Sequence, residues 1–198
     1  MGQVHAARLE DGSRVAVKVQ HPDIQKKVRV DLEIMAGLAQ LAERVPEFAN
    51  YRPRSTVAEL QRTLLRELDF GSEERHLEDF GRIFADDRTV HIPKPYPDLS
   101  TGRVLTMELI DGVSLDESER LAAQDLDLCE LARRGADLYM VMIFIHGFYH
   151  ADPHPGNIVV LPENVIGLID FGMVGRIDEQ LREDIEELLL AIINRDPT

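Results

Sequence analysis

The sequence predicts an α+β fold in two lobes: a small antiparallel sheet with helices over residues 1–112, then a mainly helical lobe over 113–198. Three observations predict it. Strand-like segments at 2–9 and 14–20 flank Glu10-Asp11-Gly12-Ser13, and Asp-Gly is a strong two-residue hairpin signal. Apolar residues recur every three or four positions through 23–45, 55–84, 125–147 and 178–193, the period of a helix with one buried face. Two short apolar runs, 158–161 and 165–169, are separated by Pro162-Glu163-Asn164, the pattern of a second hairpin.

Size and composition narrow the function classes. A chain of 198 residues with 44% hydrophobic and 29% charged residues is globular, and holds one large domain or two small lobes around a cleft. Its formal net charge of −14 argues against a nucleic-acid partner, because phosphate backbones attract basic surfaces. The acid excess reads as solubility. Cys129 is the only cysteine, so no disulfide forms within the chain, which fits a cytoplasmic location. Leu128 and Leu131 beside it predict a buried thiol. The first residues lack the apolar core of a signal peptide. The longest apolar run, near 139–145, is too short to span a bilayer and reads as a buried helix.

Taken in order, the second strand carries Val15-Ala16-Val17-Lys18-Val19. Alternation puts Ala16 and Lys18 on one face and the valines on the other, so the valines are expected to bury while Lys18 faces a cleft. Pro22 opens a helix with Ile24, Val28, Leu32, Met35, Leu38 and Leu41 as its apolar series. Lys26, Lys27 and Arg29 sit early in it, against the helix dipole. The next helical stretch carries Val57, Leu60, Leu64, Leu65 and Leu68, with Gly71 as the point where it bends or breaks. It is rich in acids, among them Glu59, Glu67, Asp69, Glu73, Glu74, Glu78 and Asp79. Periodicity does not choose a partner for Lys18 among them. Glu67 and Glu73 lie about 240° apart on an unbroken helix and cannot both face one cleft. Residues 86–102, with Pro93, Pro95 and Pro97, read as loop, and 103–110 as a strand ended by Asp111-Gly112. Helices over 125–147 form the base of the second lobe. The last helix is expected to turn Leu181, Ile185, Leu188 and Leu189 inward.

The chemistry gathers in Phe148-Tyr149-His150-Ala151-Asp152-Pro153-His154-Pro155-Gly156-Asn157 and in Ile169-Asp170-Phe171-Gly172. A hairpin between them brings Asn157 and Asp170 together, and both supply the oxygen ligands that magnesium takes. Asp152 lies five residues before Asn157, as in the protein-kinase catalytic loop, where an Asp base precedes a metal-binding Asn and an Asp-Phe-Gly follows. Val-Ala-Val-Lys is similar to the kinase strand whose lysine holds the ATP phosphates. In that pattern Met107 stands at the back of the adenine pocket, and Glu108 to Ile110 form the connection whose backbone binds adenine.

The residues resemble the AarF/UbiB family of atypical kinases, associated with ubiquinone biosynthesis and isoprenoid lipid metabolism. The resemblance runs over essentially the whole chain. Its most specific pieces are Val15 to Pro22, Glu67-Leu68-Asp69-Phe70 followed by Glu73, His150 to Asn157, and Leu168 to Met173. It implies a protein-kinase-like fold with ATP and magnesium between two lobes, Lys18 paired with Glu73, Asp152 as the catalytic-loop aspartate, and Asn157 and Asp170 as metal ligands. It assigns Glu67 and Asp69 to a family motif that meets an N-terminal segment over the active site. The alanine-rich loop and lysine motif that precede Gly2-Gln3-Val4-His5 in the family are missing here, as is the rest of the larger lobe. The resemblance therefore implies a chain truncated at both ends.

Two function classes follow. One is an ATP-dependent kinase or ATPase in which Lys18 positions phosphates, Asn157 and Asp170 hold magnesium, and Asp152 aligns or deprotonates the acceptor. The other is a nucleotide-binding pseudokinase that regulates or scaffolds a partner. A purely structural module requires every one of these polar residues to be incidental. The acceptor and the oligomeric state are open. The resemblance points to a lipid or quinone-precursor ligand and to peripheral membrane contact.

Overall fold

Strand and helix alternate along the chain in an order that the hydrophobic periods largely anticipate. In this computed structural model residues 2–124 and 126–194 are described, without the side chains of Pro46, Ala49, Arg66 and Glu67. The elements are β1 (Gly2–Arg8), β2 (Arg14–Gln20), α1 (Ile24–Ala42), α2 (Pro46–Ala49), α3 (Pro53–Glu67), α4 (Phe70–Ile83), β3 (Val90–His91), β4 (Val104–Glu108) and β5 (Val113–Ser114). They continue with α5 (Ser118–Ala122), α6 (Leu128–Met140), β6 (Phe148–His150), β7 (Ile158–Leu161), β8 (Val165–Leu168), β9 (Val174–Arg176) and α7 (Glu179–Asn194). The fold is α+β, as the sequence predicts.

Packing divides the chain into two interleaved units. The first holds residues 1–75 and 95–109, the second 76–94 and 110–198. The sequence suggested a single boundary near 112; residues 76–94 instead group with the C-terminal part.

In the first unit, β1, β2 and β4 form an antiparallel sheet with β2 in the centre. The β1–β2 turn runs through Asp11 and Gly12. The Ser13 N–H donates to Asp11 Oδ1 at 2.8 Å, and Gly12 takes φ +90°, a region open to glycine. The expected facing of β2 holds only at its start: Val15 is fully buried, but Val17 and Val19 are more exposed, and Ala16, Lys18 and Gln20 share the face that buries. The start of α4 accounts for this, because it supplies polar partners to that face. α1 packs on α3. Leu32 and Ala39 are the buried residues of α1, and Met35, Leu38 and Leu41 from its expected apolar series are exposed. The long acidic stretch is two helices. The break lies at Leu68-Asp69, just before Gly71, where Asp69 starts a new helix.

In the second unit, Phe80 is fully buried, with ring centroids 4.7 Å from Phe148 and 5.1 Å from Phe171. β3, β8, β7 and β5 form one sheet and β6 with β9 another. The expected loop at 86–102 thus contributes a short strand, β3, parallel to β8. The β7–β8 hairpin turns through Glu163 and Asn164, both at positive φ, which matches the twist of the flanking strands. Arg134 of α6 braces this turn by donating to the Glu163 and Asn164 carbonyls at 2.7 and 2.9 Å. α6 runs into a π-helical turn, Val141–Ile145.

Two burial expectations fail here. Cys129 is exposed. Its neighbours at i−1 and i+2 do not share its helix face, so Leu131 buries without it. Within α7 no residue is buried, and Leu181, Leu188 and Leu189 are exposed, Leu188 by 60%. Ile185, on the same face, is only half-buried.

Candidate functional site

The first unit presents one buried charge pair. Lys18 lies in the middle of β2, opposite Val4 on β1 and Leu105 on β4, so its ammonium leaves the sheet on the covered face. Glu73 stands in the first turn of α4, where the helix dipole favours an acid. The Lys18 Nζ donates to Glu73 Oε1, and the two residues are only 8% and 4% exposed. Burial of both charges is tolerable because each neutralises the other.

Backbone contacts position this pair. Asp69 Oδ1 accepts the Gly71 N–H at 3.1 Å, and the Asp69 carbonyl accepts the Ser72 N–H at 2.9 Å, so Asp69 caps α4. The Phe70 N–H donates to the Gly102 carbonyl at 3.2 Å. Gln20, two residues beyond Lys18 on the same face, donates through Nε2 to the carbonyls of Leu68 and Gly102. These bonds tie β2, the loop before β4 and the start of α4 together, which fixes where Glu73 meets Lys18.

The remaining first-unit candidates divide. Met107 is buried on β4 opposite Ala16, and Glu108 stands opposite Val15. The Leu109 N–H donates to the Arg14 carbonyl at 3.1 Å, and Ile110 begins the second unit. Asp69 is exposed; beyond its cap it makes a long ion pair with Arg75 at 3.9 Å. The Glu67 side chain lies outside the described part of the structure.

The second unit holds the acidic loop. β6 pairs with β9, and the Ala151 N–H donates to the Met173 carbonyl at 3.0 Å, which sets the start of the loop. Pro153 and Pro155 stiffen it. The Gly156 N–H donates to His154 Nδ1 at 3.0 Å and the Asn157 N–H to the His154 carbonyl at 2.8 Å. The Asn157 amide nitrogen then donates to Asp152 Oδ2 at 2.8 Å and to the Asp152 carbonyl at 3.2 Å. At the mouth of the β7–β8 hairpin, Ile158 faces Leu168, and the Ile169 N–H donates to the Asn157 carbonyl at 3.0 Å. Asn157 and Asp170 therefore flank the last rung of one hairpin. Asp170 Oδ1 accepts the Gly172 N–H at 3.0 Å.

Two histidines that the sequence reading left without a role hold this arrangement. His150 is buried; its Nε2 donates to the Asp170 carbonyl, while Nδ1 accepts the Asp152 N–H at 3.3 Å. One imidazole thus fixes the backbone at both acids. His76 of α4 donates through Nδ1 to the Phe171 carbonyl at 2.9 Å, and the Phe171 ring is fully buried. The signal for His150 was its offset of two from Asp152; His76 carried no signal. On α6, the Tyr139 phenol is pushed above its ordinary pKa, first by burial and then by the Asp152 charge. Its hydroxyl is buried without a hydrogen-bond partner among the described residues.

The donor set suits magnesium. With its nitrogen committed to Asp152, Asn157 keeps Oδ1 as an acceptor, and Asp170 supplies a carboxylate from just past the other strand of the same hairpin. The Lys18 ammonium is the kind of point charge that binds phosphate.

Comparison with known proteins places the chain in a family. The ABC1 atypical kinase-like domain matches residues 1–198. AarF domain-containing protein kinase 1 of Xenopus tropicalis is 37% identical over 201 residues, covering 99% of this chain and 38% of that protein. A probable protein kinase UbiB of Vibrio atlanticus is 36% identical over 203 residues, covering 99% of this chain and 37% of that protein. The chain thus spans less than two fifths of the length of these relatives. Among solved structures, Rv3197 of Mycobacterium tuberculosis, in complex with erythromycin, superposes with a TM-score of 0.74 at 28% identity, over 98% of this chain and 51% of that one.

Proposed function

Since the chain belongs to the ABC1 atypical kinase-like family, we propose that it binds ATP with magnesium and acts as an atypical kinase or ATPase. The observation that carries this reading is the hydrogen-bonded Asp152–Asn157 pair at the mouth of the hairpin that Asp170 closes. Lys18 would hold ATP phosphates, with Glu73 fixing the ammonium. Met107, Glu108 and Ile110 would contact adenine. Asn157 and Asp170 would hold magnesium, which when bound offsets the charge of the phosphate oxygens. Asp152, oriented by Asn157, would align an acceptor hydroxyl or a water and take its proton. The Asp69 cap would keep α4, and so Glu73, in place, with Glu67 beside it in the family motif.

The resemblance supports a role in ubiquinone or isoprenoid lipid metabolism, with a lipid or quinone precursor as ligand at a membrane surface. Among the described residues no helix is long and apolar enough to cross a membrane. The test is ATP turnover with magnesium in the wild type and in Asp170→Ala. Turnover that falls at least a hundredfold in the variant supports the assignment, and equal rates refute it. An ATP-dependent rise in melting temperature without turnover in the wild type would mark a nucleotide-binding regulatory module instead.

A further inference from the structure

Away from Lys18 and Glu73, the first unit carries two adjoining cavities of about 580 Å³ and about 450 Å³ that share Gln25, Arg29 and Arg103 in their walls. Both are in the size range of small-molecule sites. The larger is floored by Gln20, which is buried, donates to two carbonyls and accepts from Gln25 at 3.3 Å. The polar floor is thus fixed by β2, α1 and the loop before β4. His21 and Lys26 line the same cavity, and Arg29 and Arg103 are exposed to it.

One of these cations stands where local preference disfavours it. Lys26 lies in the first turn of α1, which holds no acid and whose N-cap Asp23 makes no side-chain cap bond, and Arg29 follows about one turn on. The chain has 22 Lys and Arg against 36 Asp and Glu, so acids to pair with them are plentiful. Yet among the described residues Lys26, Arg29 and Arg103 make no ion pair. The acids in the cavity walls are Asp23, Glu33 and Asp69. Asp69 is committed to the α4 cap and Arg75. A bound anion resolves both features, since guanidinium forks match phosphate oxygens and a helix start favours negative charge.

We propose that this double cavity binds a phosphate-bearing anion, held by Arg29 and Arg103 with Lys26 beside them. The proposal does not depend on the ATP reading. Val30 also lines the larger cavity, and Ile34 and Leu38 continue exposed along α1 at four-residue intervals. A phosphate with a hydrocarbon tail therefore finds an apolar track leading from the guanidiniums. Free and lipid-borne phosphates share the head-group chemistry, and the experiment separates them.

Inorganic pyrophosphate is titrated calorimetrically in EDTA, which removes the magnesium that the ATP site needs. In parallel, the protein is sedimented with phosphatidylcholine vesicles, with and without phosphatidic acid. Both assays run on the wild type, Arg29→Ala/Arg103→Ala, Arg29→Lys/Arg103→Lys and Asp170→Ala. The expected result is at least a tenfold weakening in the double alanine variant, a smaller one in the double lysine variant, and no change in Asp170→Ala. Pyrophosphate binding identifies a free anion; binding only to phosphatidic acid vesicles identifies a lipid head group. Both substituted arginines are exposed, so the variants should keep the wild-type melting temperature. The proposal is overturned if neither probe binds, or if the double alanine variant binds like the wild type. Loss in Asp170→Ala alone would place the anion elsewhere and overturn it too, leaving the ATP reading intact.

Discussion

Lys18 and Glu73 are 55 residues apart in sequence and meet through one buried ion pair. Asp152, Asn157 and Asp170 lie in one short stretch, held by a hairpin rung, a side-chain amide and a bridging imidazole. The first arrangement centres on a contact between opposite charges held away from water. The second is spread over several part-buried hydrogen bonds. Loss of one group should therefore be severe in the first unit and graded in the second.

The largest effect is expected from Lys18→Met. It leaves the Glu73 carboxylate buried without the ammonium that neutralises it, and such losses cost about 3–5 kcal/mol. Urea unfolding should show the drop. Adding Glu73→Leu should recover most of it, because an apolar pair carries no charge to desolvate. A single-variant loss below about 1 kcal/mol, the scale of an exposed pair, would end the contrast.

His150→Ala should come next. It removes the group bonded to the Asp170 carbonyl and the Asp152 N–H, and leaves space beside the Phe171 ring, whose centroid is 5.5 Å away. The expected destabilisation is about 1–3 kcal/mol. Asn157→Ala should cost only about 1 kcal/mol, since its backbone bonds to His154 and Ile169 remain. It should nonetheless abolish the magnesium dependence of nucleotide binding, measured by calorimetry with and without the cation. A loss as large as that of Lys18→Met would show that the second unit is no more tolerant of losing one group than the first.

The same contrast explains what could be read in advance. The acidic loop was legible because a hairpin with short strands converts sequence offset into proximity, so Asn157 and Asp170 needed no tertiary information. The partner of Lys18 was not legible from periodicity. The family resemblance named Glu73, but periodicity could separate it from Glu67 only with the knowledge that the helix breaks at Leu68-Asp69, and that break depends on bonds to Gly102 and Gln20. Alternation told which residues of β2 share a face but not which face α4 covers, so the burial of Val17 and Val19 was misjudged. The exposed apolar rows of α1 and α7 fail for a related reason. A period of 3.6 shows that a stripe exists, and only packing shows whether anything lies over it.

Tyr139 offers the finest probe of the second unit. Burial is the main cause that raises its phenol above the ordinary value of about 10, and the Asp152 charge is the second. The raised folded pKa means that the neutral phenol is favoured in the folded state. Its contribution to stability is complete below the unfolded pKa, near 10, and is lost as pH rises through the folded value. Asp152→Asn removes the charge but not the burial, so the Tyr139 titration should move down towards the ordinary value without reaching it. Phenolate absorbance near 295 nm follows this, with Tyr139→Phe subtracting the other three tyrosines. An unchanged titration in Asp152→Asn would mean that no ionised carboxylate acts on the phenol, and that Asp152 is not the charged group the proton-accepting role requires.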